Sequence, residues 1–130
     1  MAGARACEHR RMSSVLIVDD HETFRVLARA VLEASGYTIA GEAADGESAL
    51  RMAAEVDPDI VLLDIQLPGT DGFAVAERLA QLPRPPAVVL VSTRGEDAYR
   101  ERLREAPALG FVNKSDFSGP ALTALVEAGS

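Results

Sequence analysis

The sequence predicts an α/β domain: a five-stranded parallel sheet with helices on both faces. Three observations predict it. Short apolar runs alternate five times with amphipathic segments, strand first and helix second. The central runs, such as Ile60 to Leu63, are apolar at every position, as strands covered on both faces must be. Several runs end in polar residues, and in a parallel sheet such ends share one edge, where open α/β folds place their ligands.

Each element has its own signal. Val15 to Val18 is the first strand and ends at Asp19 and Asp20. Phe24, Leu27, Ala28, Val31 and Leu32 then recur at helical spacing, and Gly36 closes that helix. Tyr37 to Ala43 is a weaker strand interrupted by Gly41; it carries no reactive side chain at its end, which suits an edge position. Asp45 caps a second helix with Ala49, Leu50 and Ala53 inward. Asp57-Pro58 breaks the chain before the third strand, which delivers Asp64.

Pro68 and Gly69 then signal a turn. Asp71 begins a third helix running to about Leu82, with Phe73, Ala76, Leu79 and Ala80 on its inner face. Pro83, Pro85 and Pro86 stiffen the connection to the fourth strand, Ala87 to Val91, which ends in Ser92 and Thr93. Arg94 to Glu105 reads as a charged helix with few apolar anchors (Ala98, Tyr99, Leu103), and thin anchoring makes it a candidate for movement. Leu109 to Val112 is the fifth strand, ending in Asn113 and Lys114. A last helix starts near Ser118, with Pro120 in its first turn and Leu122, Leu125 and Val126 inward. Residues 1–14 have no periodicity and are expected to form a flexible, mildly basic arm ahead of one domain, residues 15–130; Met12 is an alternative start and His9 a solvated residue.

Composition narrows the function. The net charge of −7 argues against nonspecific nucleic-acid binding, which needs a basic surface, and leaves cations or basic protein surfaces as partners. No apolar run approaches the ~18 residues of a membrane span, and no signal-peptide core follows the N-terminal arginines. The single Cys7 fits a reducing compartment, so a cytoplasmic location is expected.

The polar strand ends are Asp19 and Asp20, Asp64, Ser92 and Lys114. Taken singly, each has a plain alternative: Asp64 as a cap or turn residue, Asp19, Asp20 and Ser92 as helix caps, Lys114 as a solvated cation. Taken together they form one chemistry. Three close carboxylates repel one another, and a hard divalent cation such as Mg²⁺ relieves that. An ammonium and a hydroxyl beside one carboxylate suit an incoming phosphoryl group, with the carboxylate attacking in line.

At this point the residues are similar to a known family. Asp19-Asp20, Asp64 within I-Q-L-P-G-T-D-G, Ser92 and Lys114 resemble the receiver domain of bacterial response regulators. D-D-H-E-T-F-R at Asp19 to Arg25 and L-G-F-V-N-K at Leu109 to Lys114 are most similar to the NarL-like class. The resemblance spans Val15 to about Ala128. It implies a flavodoxin-like sheet of strand order 2-1-3-4-5 and a two-component phosphorelay role. Asp64 would be the phosphoacceptor. Asp20 and Asp64 would hold Mg²⁺ directly, Asp19 through water, with the carbonyl of Gln66 completing the protein ligands. Lys114, Ser92 and Thr93 would contact the phosphoryl group, and Ser92 and Phe111 would form the switch. The donor would be a sensor histidine kinase or a phosphotransfer protein, and a small acyl phosphate is a further donor.

Departures from the family pattern bear on mechanism. Thr93 stands where a small residue is usual, adding bulk beside the site. Phe111 lacks the hydroxyl of the commoner tyrosine. Ser115 replaces the usual proline after Lys114, so a cis bond there would cost about 2.5–4 kcal/mol. Gln66 and Arg94 occupy the positions that tune acyl-phosphate lifetime. His21 is expected in the first turn of the first helix and not as a metal ligand. The sequence ends at Ser130 with no DNA-binding domain following, so the expected output is a protein contact, with a downstream target or a second copy of the chain. Such a protein promotes its own phosphorylation and dephosphorylation without being a turnover enzyme. The alternatives are a receiver-fold binding module that never cycles phosphate, and a phosphatase of the haloacid-dehalogenase type. The latter needs a second acid two residues after its nucleophile, where Gln66 stands.

Overall fold

A computed structural model describes residues 13–129, so the expected arm, with Cys7, His9 and Met12, lies outside the described residues. Five long strands form one parallel sheet: β1 (Ser14–Val18), β2 (Thr38–Ala43), β3 (Ile60–Asp64), β6 (Ala87–Ser92) and β7 (Gly110–Asn113). A two-stranded antiparallel hairpin, β4 (Gln66–Leu67) and β5 (Thr70–Asp71), sits between β3 and the third helix. The order across the sheet is β2-β1-β3-β6-β7, which is 2-1-3-4-5 when the long strands alone are counted. The weak second strand is an edge, as its sequence suggests.

The apolar strands divide their side chains between two cores, as the two-residue period of a strand requires. Val15, Ile17, Ile60, Leu62, Val89 and Val91 face one way and pack on α1 (Glu22–Ala34) and α5 (Gly119–Ala128) through Phe24, Ala28, Leu32 and Leu122. Leu16, Val18, Val61, Leu63, Val88 and Leu90 face the other way, onto α2 (Gly46–Val56) and α3 (Gly72–Leu79). Each such side chain, fully withdrawn from water, contributes about 1.5–3 kcal/mol. The helices thus cover both faces and leave the carboxyl ends of the strands open.

Caps follow the residues that announce them. Asp45 accepts from Ser48 N, Asp71 from Ala74 N and Ser118 from Ala121 N. At the end of α1 the amides of Gly36 and Tyr37 return to Glu33 and Leu32, a Schellman closure.

Four expectations are corrected. Leu27 is 51% exposed, because α1 buries only the narrower stripe Phe24–Ala28–Leu32 and no element among the described residues covers its flank. Ala80 is exposed, because α3 stops at Leu79, short of Leu82, whose place before Pro83 disfavours helix. Arg94 to Glu105 is not one helix: a 3₁₀ turn covers Glu96–Tyr99, and a short α4 covers Arg100–Glu105. Of its three expected anchors only Tyr99 is buried, while Leu103 is half-buried and Ala98 is exposed, too little to support a continuous helix. His21 is the N-cap of α1, in extended conformation, and not a first-turn residue. No peptide bond among the described residues is cis, so Lys114-Ser115 is trans.

Candidate functional site

The third strand ends by withdrawing a charge from water. Asp64 is 2% exposed at the carboxyl end of the central β3, flanked by β1 and β6. Asp19, one residue beyond β1, is fully buried. Two carboxylates so placed require cations or donors. Lys114, from the end of β7, supplies them: its Nζ lies 3.3 Å from Asp64 Oδ2 and 2.5 Å from Asp19 Oδ2. The Asp19 contact is an ion pair without hydrogen-bond alignment, so Asp19 Oδ2 is a buried oxygen with no hydrogen-bond partner among the described residues. Asp64 Oδ1 accepts the Gln66 amide at 3.1 Å, and Gln66 itself is exposed at the start of the hairpin. Burial, and then the charge of Asp19, push the Asp64 carboxyl above the ordinary carboxylate range. The Gln66 amide and Lys114 pull against them.

Asp20 is exposed beside this pair. Asp19, Asp20, His21 and Asp64 offer ligand atoms that all lie within 4.8 Å of one another. Oxygen donors of net negative charge, one of them buried without a hydrogen bond, fit a hard divalent cation. The His21 Nδ1 lies 3.1 Å from Asp19 Oδ1 and 3.2 Å from Asp20 Oδ1 on an exposed ring.

The hydroxyl side comes from β6. Ser92 is fully buried; its Oγ accepts the Arg94 amide at 3.1 Å and lies 3.2 Å from Tyr99 Oη. Thr93 is exposed. Phe111, half-buried on β7, has its ring 6.3 Å from that of Tyr99. The fold therefore gathers Asp19, Asp20, Asp64 and Lys114 into one cluster. It gives Ser92 and Phe111 a common neighbour in Tyr99 and leaves Gln66 and Thr93 at the rim.

Several residues around the site escape a sequence reading. Arg25 donates from Nη1 to the Asp19 carbonyl at 2.6 Å and from Nε to Glu42 Oε1 at 3.1 Å. Glu42 in turn accepts from Arg29 at 2.8 Å, a bond that holds its carboxyl below the usual range. Edge strand β2, expected to contribute nothing, thus braces the acidic loop at second hand. Phe24 places its ring 4.8 Å from the Lys114 ammonium, a cation–π contact, and meets Phe117 edge-on. Their signals in sequence are weak, since an Arg and a Phe on an amphipathic helix imply nothing about a lysine just beyond β7.

The loop after Asp64 is shaped by sterics. Pro68 and Gly69 (φ 75°) turn the hairpin in the type II pattern. Gly72 brings its amide to Ile65 O at 2.6 Å; a Cβ there would collide with the Asp64 carbonyl and stand 2.8 Å from Ile65 Cα. Asp71 bonds Arg102 at 2.8 Å, and that guanidinium lies 4.2 Å above the Phe73 ring.

Comparison with known proteins agrees with this geometry. The family model described as the response regulator receiver domain matches residues 15–127. The response regulator GacA of Pseudomonas aeruginosa is 35% identical over 118 residues, covering 90% of this chain and 53% of that protein. The chain spans about half the length of the curated relatives it matches first. A LuxR-family two-component response regulator from an Aurantimonas species superposes with TM-score 0.79 at 31% identity, covering 90% of this chain and 84% of that one. The signal receiver domain of the response regulator NarL from Mycobacterium tuberculosis gives 0.76 at 32% identity, covering 90% and 95%. Fold, strand-end chemistry and these likenesses agree: the chain belongs to the response regulator receiver domains of two-component systems.

Proposed function

We propose that Asp64 is the phosphoacceptor of this receiver domain. The observation that carries the reading is the lysine bridge: one ammonium between two buried carboxylates from different strands. Oδ1 of Asp64 is engaged by the Gln66 amide, so Oδ2, facing Lys114, is the attacking atom. It forms a bond to phosphorus as the bond from phosphorus to the donor breaks. The leaving group is the imidazole of a phosphohistidine or the carboxylate of a small acyl phosphate. Lys114 then pairs with a phosphoryl oxygen.

Mg²⁺, when bound, neutralises charge on the transferring oxygens. Asp19, Asp20 and Asp64 are the residues to hold it, with the Gln66 carbonyl as a further ligand. Ser92 turns to the new phosphoryl group, Phe111 fills the space it leaves, and the segment Glu96 to Glu105 changes the surface it presents. Thr93, exposed at the rim, limits access by donor and water. A histidine kinase or phosphotransfer protein loads the site in the cytoplasm. A downstream protein or a second copy of the chain reads it. The domain carries out its own transfer and loss of phosphate and turns over no other substrate.

The test is incubation with Mg²⁺ and acetyl phosphate, read by intact mass. One base-labile phosphoryl adduct is expected, abolished by Asp64→Asn. No adduct with acetyl phosphate or with a phosphorylated histidine donor overturns the reading. It then favours a binding module that does not cycle phosphate.

A further inference from the structure

We propose that Tyr99 is a positioning residue that restrains Ser92 and sets how readily the switch fires. The inference rests on the phosphoacceptor reading of Asp64 and adds a residue which that reading does not use. Ser92 is fully buried, and its hydroxyl has two partners among the described residues, the Arg94 amide and the Tyr99 hydroxyl. Tyr99 is 8% exposed, with its ring 5.9 Å from Phe73 and 6.3 Å from Phe111. It is the one buried side chain of the segment Glu96–Glu105.

The consequences follow from what a buried hydroxyl needs. Turning Ser92 toward a phosphoryl group breaks its contact with Tyr99. The Tyr99 hydroxyl is then left without a partner in an apolar setting, which is costly. Tyr99 therefore holds the resting rotamer. The same bond ties the switch to the segment that moves, since Tyr99 is that segment's buried anchor. Phe111 has no hydroxyl to serve this purpose, so the polar restraint comes from the 3₁₀ turn and not from β7.

Tyr99→Phe keeps the ring and removes the restraint. The affinity of the Mg²⁺-loaded protein for beryllofluoride, a phosphoryl mimic, is expected to tighten roughly 2- to 10-fold, the fold-change of one ordinary hydrogen bond. In a Ser92→Ala background the same substitution is expected to change nothing, because the partner is already gone. A merely structural Tyr99 would weaken affinity or leave it alone in both backgrounds. In the wild-type protein, beryllofluoride is expected to shift the Tyr99 ring Cζ resonance as the hydroxyl loses its partner. An unchanged or weaker affinity in Tyr99→Phe, an equal gain in Ser92→Ala, or an unmoved Cζ resonance each overturns the proposal. If the wild type forms its adduct while any of these holds, Tyr99 alone is disproved; if it forms none, the phosphoacceptor reading fails too.

Discussion

The two sides of the site are built differently. On the β1–β3 side the buried carboxylates rest on packed structure: fully apolar strands beneath and Arg25 and Glu42 bracing the Asp19 loop, with Lys114 reaching them from the end of β7 across the Phe24 ring. On the β6–β7 side the chain from Arg94 to Glu105 is mostly exposed, broken into a 3₁₀ turn and a short helix, and held by Tyr99 and the half-buried Leu103. The difference teaches a division of labour. The buried carboxylates sit on strands covered on both faces. The thinly anchored segment is the one the proposed switch would move, since elements that move come from the low-stability end of a fold.

The two sides should differ most in stability. Leu62→Ala, in the fully buried β3, is expected to cost about 2–5 kcal/mol in urea unfolding. Leu103→Ala, half-buried in α4, should cost under about 1.5 kcal/mol, half the burial value of a leucine. Equal losses would refute the asymmetry.

The next effect is on cation binding. Arg25→Ala frees the Asp19 carbonyl and is expected to weaken Mg²⁺ affinity by about 10-fold, as loss of a supporting partner commonly does. A titration followed by calorimetry checks it. An unaltered affinity would confine Arg25 to packing.

Acid sharpens the contrast further. Asp64 has its carboxyl raised, so the fold favours its protonated form. Its contribution is fully present below the unfolded carboxylate value of ~3.9 and is lost as pH rises through the folded value. Asp64→Asn is thus expected to raise the melting temperature in metal-free buffer at pH 7, with the gain shrinking on acidification. Glu42 runs the other way: Arg29 and Arg25 lower its carboxyl, so its stabilisation is present at neutral pH and lost as pH falls through the folded value. Glu42→Gln should lower the melting point at pH 7 and do little in acid.

The smallest effect belongs to the loose side. Arg102→Ala removes an exposed ion pair with Asp71 and a contact over Phe73, together about 0.5–1.5 kcal/mol after screening.

What was legible in the sequence divides along the same line. Apolar runs buried on both faces announce themselves, so β1, β3 and β6 and the polar residues at their ends could be read directly. The cap at Asp45 and the helix starts at Asp71 and Ser118 are local and were equally plain. Partnerships across the fold were not. Nothing near Arg25 points to the Asp19 carbonyl or to Glu42, 17 residues away, and nothing near Tyr99 requires a contact with Ser92. Leu27 misled because helical spacing reports which residues share a face, not how wide a face the sheet covers. Arg94 to Glu105 misled because helix-forming composition does not supply the buried anchors that sustain a helix.

Gly72 carries one more consequence. Side chains are excluded there by the Asp64 carbonyl and the Ile65 backbone, not by any reaction. In a saturation-mutagenesis screen for signalling, Gly72 should therefore tolerate substitution as poorly as Asp64. A tolerance map alone would rank the two together. Only a separate assay of folded protein would tell the proposed phosphoacceptor from the residue that makes room for it.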